Sequence, residues 1–277
     1  MSLLVELGAD PKALYMLDRK GVIHNERDDL NEYKQNFAIQ TEARTLDDAI
    51  TTADIFVGVS GPNLLSAEQV KKMAAKPIVF ALSNPEAEIN PDVAKAARND
   101  LIMATGRSDF PNQINNVLGF PFIFRGALDV RATSINEEMK VAAASALATL
   151  ARQDVPDDVL RAYGRQSLRF GKNYIIPKPF DSRVLYWVAP AVARAALESG
   201  VAREDCDVEG YSRRLYRTIS PTRRVLWNIT ETAKANPRRI VYPESEQNNV
   251  LRAAQRVLEA GIAKPILLGR PDRIERR

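Results

Sequence analysis

Short, uninterrupted apolar runs recur along the N-terminal part of the chain, each ending in turn residues and separated from the next by a helix-length stretch. The runs are Ala13–Leu17, Ile55–Val59, Ile78–Leu82 and Leu101–Ala104. A strand covered on both faces of a parallel sheet reads as such a run rather than as an alternation. Residues 2–8 read as the end of an amphipathic helix closed by Gly8. Thr45-Leu46-Asp47-Asp48 is a capped helix start, and helices are predicted over 66–75 and 91–98. Strands alternating with helices of about ten residues imply right-handed crossovers. The predicted fold is therefore α/β, a Rossmann-like doubly wound parallel sheet. The order opens on a helix, and no Gly-x-Gly-x-x-Gly turn occurs anywhere in the chain. Such a sheet normally opens with a strand and that turn, so the sheet is expected to be incomplete at its N-terminus, with residues 2–8 the tail of a crossover helix.

From Pro121 to Gly200 the pattern turns helical. An alanine-rich helix is predicted near 137–152 and another over 183–199, with the proline-fixed segment Ile175–Phe180 between them. Residues 201–236 read as a linker, helical around 211–234. A second α/β pattern then begins: strand Ile240-Val241-Tyr242, the turn Pro243-Glu244-Ser245-Glu246, a helix over 247–260 capped by Gly261, and strand Pro265–Leu268. One βαβ unit does not bury both faces of a sheet, so this domain is expected to be partial. The domain reading is 1–200, partial nucleotide-binding domain; 201–236, helical linker; 237–277, the start of a second α/β domain.

Composition narrows the function classes. Net charge is +4, from 39 basic and 35 acidic residues, with the arginines concentrated late in the chain. No dense basic stripe or recognition motif accompanies them, so a nucleic-acid partner is not expected. No run approaches the ~18 apolar residues of a membrane span, and the N-terminus lacks the features of a signal peptide. The single cysteine, Cys206, excludes an internal disulfide and fits a reducing, cytoplasmic setting. The single histidine, His24, lies in a polar loop and is expected on the surface. One His and one Cys leave no zinc site of the usual kind.

The candidate chemistry sits in two loops, Ser83-Asn84-Pro85 and Gln113-Ile114-Asn115-Asn116, which follow the third and fourth apolar runs. Ligands of open α/β sheets bind at the carboxyl ends of the strands. Neutral amides there donate to a carboxylate or carboxamide and accept from a hydroxyl without adding charge. That suits a small hydroxy acid beside a nicotinamide.

Several motifs in order carry a family resemblance: Asp18-Arg19-Lys20-Gly21, Gly58-Val59-Ser60-Gly61-Pro62, Phe80-Ala81-Leu82-Ser83-Asn84-Pro85, Pro111–Val117, Phe120–Asp129 and Ile175–Phe180. Together they resemble malic enzyme. The unit from Arg238 to Arg270 is similar to the opening of a phosphotransacetylase-like domain, as in the bacterial hybrid type that joins the two. The resemblance implies oxidation of malate with NAD(P) and decarboxylation to pyruvate and carbon dioxide, assisted by Mg or Mn. It makes Asn84 and Asn115 or Asn116 the amides that grip malate and the nicotinamide end. Asp18 then contacts the adenosine ribose, while Arg19 and Lys20 sit where a 2′-phosphate would lie, which favours NADP, with NAD the alternative. Gly58, Ser60 and Gly61 form the turn where a cofactor would approach the backbone. In the family the tyrosine acid, the lysine base and the metal carboxylates precede the part matched here, so no catalytic or metal residue is assigned and this chain alone is expected to be inactive. Acetyl-coenzyme A sensing and a homo-oligomer are implied for the full-length enzymes. Two other readings remain open: a non-catalytic nucleotide-binding or assembly module, and a phosphate acetyltransferase.

Overall fold

The computed structural model describes residues 1–218, 229–230 and 232–275, and opens on a short helix, α1 (Ser2–Glu6). The apolar run at 13–17 does not become the expected parallel strand. Pro11 lacks a backbone donor and Asp10 accepts from Lys12 N at 2.9 Å, so the chain turns there as a 3-10 helix, Pro11–Ala13. Only Leu17–Asp18 (β1) is extended, and it pairs antiparallel with Gly21–Val22 (β2) in a tight hairpin. Residues 13–17 are exposed or half-buried, so nothing covers both sides of this run as a central strand would require. Asp18 accordingly lies in a hairpin and not at the end of a sheet strand.

The other three runs do form one parallel sheet: β3 (Ile55–Gly58), β4 (Ile78–Ala81) and β5 (Ile102–Thr105), in the order β3-β4-β5. Ile55, Ile78 and Ile102 stand in register, as do Gly58, Ala81 and Thr105, so the three carboxyl ends finish level. The helices start where the sequence caps them. α2 (Glu32–Gln35) opens on Asn31, α3 (Leu46–Ile50) and α4 (Ala67–Lys72) open on capping boxes from Thr45 with Asp48 and Ser66 with Gln69, and α5 (Pro91–Ala97) opens on Asn90. Their apolar sides meet the sheet in a core that includes Val70, Val79, Ala94 and Leu101.

The rest of the first unit is mainly helical, with α6 (Phe122–Asp129), α7 (Glu137–Ala151), α8 (Asp157–Ala162) and α9 (Arg183–Glu198), of which α7 and α9 lie close to their predicted bounds. α6 crosses α9 at Gly126, where a β-carbon would overlap the Ala189 carbonyl oxygen and lie 2.8 Å from Val192 Cβ. Glycine is needed there for the close approach of the two backbones. His24 departs from expectation: its side chain is only 12% exposed and its Nδ1 stands 3.9 Å from Glu26 Oε2, beyond hydrogen-bond reach. An isolated bridge between His24 and Ile39 draws this polar loop inward.

The described residues divide into two compact units, Met1–Ser212 and Arg213–Arg277. Val208–Thr218 is helical, and the remainder of the predicted linker helix falls largely outside the described residues. In the second unit β6 (Arg238–Tyr242) runs parallel to β7 (Ala263–Leu267), with helix Asn248–Glu259 between them, as the pattern predicts. Glu246 ties the segment after β6 to the turn after β7, accepting from Arg270 Nε at 3.1 Å and Arg273 Nη1 at 3.0 Å. These arginines, Arg270 first, hold its carboxyl down to about 2. A depressed carboxyl contributes stability above its unfolded value of ~4.3, lost as pH falls through the folded value. We therefore expect amide protection in β6 and β7 to fall between about pH 4 and pH 2, and Glu246→Gln to remove that pH dependence. Among the described residues no helix is long and apolar enough to cross a membrane.

Candidate functional site

The loop after β5 is built on one buried side chain, Asn112, which is 1% exposed. Thr105 N donates to the Asn112 carbonyl at 3.1 Å and Ile114 N donates to the Thr105 carbonyl at 2.8 Å, so the chain doubles back beside the end of β5. The Asn112 carboxamide donates to the carbonyls of Met103 (2.9 Å) and Lys172 (2.8 Å) and accepts from Ile175 N (3.1 Å). It thereby stitches the sheet edge to the proline-fixed segment. Lys178 Nζ adds a bond to the Pro111 carbonyl at 2.6 Å. Burial, with Arg165 nearby, lowers the Lys178 pKa, and burial pushes the Tyr174 phenol up to about 12. Both side chains hold this segment in place.

A cleft of about 260 Å³ opens at the carboxyl edge of β4 and β5, lined by Ser83, Asn84, Pro85, Gly106, Arg107, Ser108, Asp109 and Gln113. Asn84 is exposed. Among the described residues, neither its carboxamide nor that of Gln113 has a hydrogen-bond partner. Arg107 pairs with Asp109 (3.0 and 2.6 Å) and lies over the Phe110 ring at 5.1 Å. That pairing raises the Arg107 pKa and lowers that of Asp109. The cleft thus offers two uncommitted neutral amides beside a self-neutralised ion pair. Such amides can donate to and accept from a carboxamide and accept from hydroxyl groups.

The β3 end is organised by Glu88, which is wholly buried. Its Oε1 accepts from Ser60 N at 3.0 Å and its Oε2 from Ser83 N at 3.1 Å. A β-carbon on Gly58 would lie 2.5 Å from Glu88 Cδ. The space at Gly58 is therefore taken by a side chain of the protein. Gly61, by contrast, has room beside it, the nearest atom to a β-carbon being Leu64 Cδ1 at 3.9 Å.

The remaining predicted residues lie as follows. Asn115 Oδ1 accepts from Val117 N at 3.0 Å and opens a 3-10 turn, Asn116–Leu118. Asn115 and Asn116 are exposed, and the cleft takes its second amide from Gln113 in the same loop. The Asp18 carboxyl is held by Arg27 (2.9 and 3.0 Å), Lys34 (2.5 Å) and Lys20 N (2.9 Å), which keep it well below the usual carboxylate range. Lys20 Nζ pairs with Asp29 at 2.6 Å, whereas Arg19 is exposed and, among the described residues, has no ion pair. Sequence reasoning missed Glu88, whose only signal is an acidic residue set between the apolar Ala87 and Ile89. Among the described residues no cluster of three or more His, Cys, Asp or Glu side chains gathers as a metal would need.

Comparison with known proteins adds the family. Residues 6–160 match the model of the malic enzyme NAD binding domain, and residues 224–277 match that of phosphate acetyl/butaryl transferase. An NADP-dependent malic enzyme of Escherichia coli (strain K12) is 52% identical over 280 residues, covering 100% of this chain and 37% of that protein. An NAD-dependent malic enzyme of Rhizobium meliloti (strain 1021) is 48% identical, covering 100% of this chain and 36% of that protein. The crystal structure of Entamoeba histolytica malic enzyme superposes with a TM-score of 0.69 at 35% identity, over 83% of this chain and 47% of that one. The chain thus spans little more than a third of the length of the two bacterial relatives.

Proposed function

The chain belongs to the malic enzyme family, and from that premise we propose that its first unit holds the nicotinamide end of NADP in the cleft at the carboxyl edge of β4 and β5. In this reading it is the cofactor-holding part of an enzyme that converts malate to pyruvate and carbon dioxide. The observation that carries the proposal is the pair of uncommitted carboxamides, Asn84 and Gln113, in one cleft at that edge. NADP, when bound, supplies the hydride acceptor. Asn84 orients its carboxamide and Gln113 supports the same group, while Asn115 and Asn116, exposed on the next turn, are assigned to the malate side. Ser60 and Gly61 offer backbone and open space at the β3 end.

The preference for NADP over NAD rests on Arg19, which is free to meet a 2′-phosphate. Asp18 meets a ribose only if it gives up part of its ion-pair network. Mg or Mn, with ligands outside the residues assigned here, completes the chemistry. The exposed row Phe120, Phe124 and Leu128 favours a homo-oligomer, and residues 237–277 a phosphotransacetylase-like domain whose effector is acetyl-coenzyme A. The single cysteine supports a cytoplasmic setting.

Titration calorimetry tests the proposal. NADP should bind this chain with micromolar affinity and more tightly than NAD. Asn84→Ala should weaken binding about tenfold, the worth of roughly one net hydrogen bond, with the thermal midpoint unchanged because the Asn84 carboxamide makes no hydrogen bond among the described residues. No binding of either nucleotide would contradict the proposal. The chain alone should not turn over malate with NADP and manganese, and steady NADPH production would overturn that division of labour.

A further inference from the structure

We propose that Glu88 is a positioning residue that locks the β3 and β4 loops to each other, so that the turn at Ser60 and the segment carrying Asn84 keep one fixed spacing. The link to nucleotide binding rests on the function proposed above; the lock itself does not.

The lock sits where the sheet runs out of bonds. The β3–β4 register ends at Gly58 and Ala81, and Leu82 N makes the last bond across, to the Gly58 carbonyl at 2.9 Å. Beyond that point the strands part, and the N–H groups of Ser60 and Ser83 have no carbonyl opposite them. The Glu88 carboxyl is wholly buried, and a buried carboxyl left without donors is costly. Glu88 answers both donors with one carboxyl, one oxygen to each, at 3.0 and 3.1 Å.

The chain around Glu88 repeats the connection. Its own carbonyl accepts from Leu65 N at 3.0 Å, and the Ala87 carbonyl accepts from Asn63 N at 3.1 Å. Two backbone bonds and one side-chain bond therefore join residues 60–65 to residues 83–88, while the second side-chain bond, from Ser83 N, fixes the same carboxyl to the start of the β4 loop. The side-chain pair lies next to the cleft, since Ser83 and Asn84 both line it. The lock depends on the gap at Gly58, where a β-carbon would collide with the Glu88 carboxyl.

Only an acceptor at both ends satisfies this geometry. Glu88→Gln keeps the shape but turns a donor toward one of the two N–H groups. Gly58→Ala leaves Glu88 in the chain and displaces its carboxyl.

The test is amide hydrogen exchange on the full 277-residue chain, read at Ser60 and Ser83, with Gly106 at the β5 loop as control, together with NADP titration. In the unmodified protein the two serine amides should open together, with protection equal within about threefold and the same denaturant dependence. Glu88→Gln and Gly58→Ala should each speed both amides by about tenfold or more, leave Gly106 unchanged, and weaken NADP binding by a similar factor at temperatures where the variant is folded. Unequal protection in the unmodified chain would overturn the lock even if neither variant folds. Acceleration at only one serine would overturn it too. Both serines accelerating with NADP affinity unchanged would overturn the positioning role and leave Glu88 a structural bond only. If the unmodified chain binds no NADP, the nucleotide reading fails, while matched protection still upholds the lock.

Discussion

Arg183→Ala is expected to destabilise the first unit by about 3–5 kcal/mol, the cost of stranding one member of a buried ion pair. The Asp181 side chain is 0% exposed and that of Arg183 7%. Arg183 donates from Nε and Nη2 to Asp181 at 3.0 and 2.7 Å and from Nη1 to the Asp154 carbonyl at 2.6 Å. Burial opposes the Arg183 charge, and the hydrogen bonds and charge of Asp181 more than offset it, so its pKa is raised. Removing the guanidinium leaves a carboxyl with no access to water at the start of α9, the helix on which α6 and α7 pack. Arg183→Lys should recover only part of the loss, because an ammonium cannot reproduce the fork of donors. Asp181→Ala combined with Arg183→Ala should be less harmful than Arg183→Ala alone. Urea unfolding followed through Trp187 in α9 reads the effect. A loss under about 1 kcal/mol would mean that water enters and solvates Asp181.

Asn112→Ala should cost about 3 kcal/mol, roughly 1 kcal/mol for each of three buried hydrogen bonds, and lower the midpoint of the first unit by about 6–12 °C. The Met103 and Lys172 carbonyls and the Ile175 amide would each lose a buried partner. Asn112→Asp should be no better, since an acceptor would face two carbonyls. Because this side chain fixes the loop that carries Gln113, the variant should also bind NADP less tightly where it remains folded. Differential scanning calorimetry of the full chain checks the first effect, and an unchanged midpoint would show that the stitch to residues 172–175 is not needed.

What could be read from the sequence divides along physical lines. Three of the four apolar runs became parallel strands because capped helices precede or follow them and pack on the sheet in one core, although Ile55 and Val57 of the edge strand β3 stay exposed. The run at 13–17 is as apolar but holds no Val or Ile and follows Asp10-Pro11, so it became a turn and a hairpin arm. Local pattern cannot report whether a partner layer exists. The site shows the same limit. Asn84 was legible because it follows a strand that ends at a sheet edge. The choice of Gln113 over Asn115 as the second amide in the cleft depends on which side chains a 3-10 turn consumes as caps. Glu88 left only the faint signal of an acidic residue between two apolar ones, because its role depends on amides 28 and five residues away from it in the chain. His24 read as a surface group from its polar neighbours and Asp18 as a strand-end contact for a ribose, yet the bridge to Ile39 draws the first inward and Arg27 and Lys34 engage the second.

The most direct test follows backbone and side-chain amide signals of the full chain while NADP is added. Signals of Ser83, Asn84, Gly106, Arg107 and the Gln113 side chain should shift together and saturate at one concentration. Shifts confined to other parts of the chain, or none at millimolar nucleotide, would contradict the proposed site.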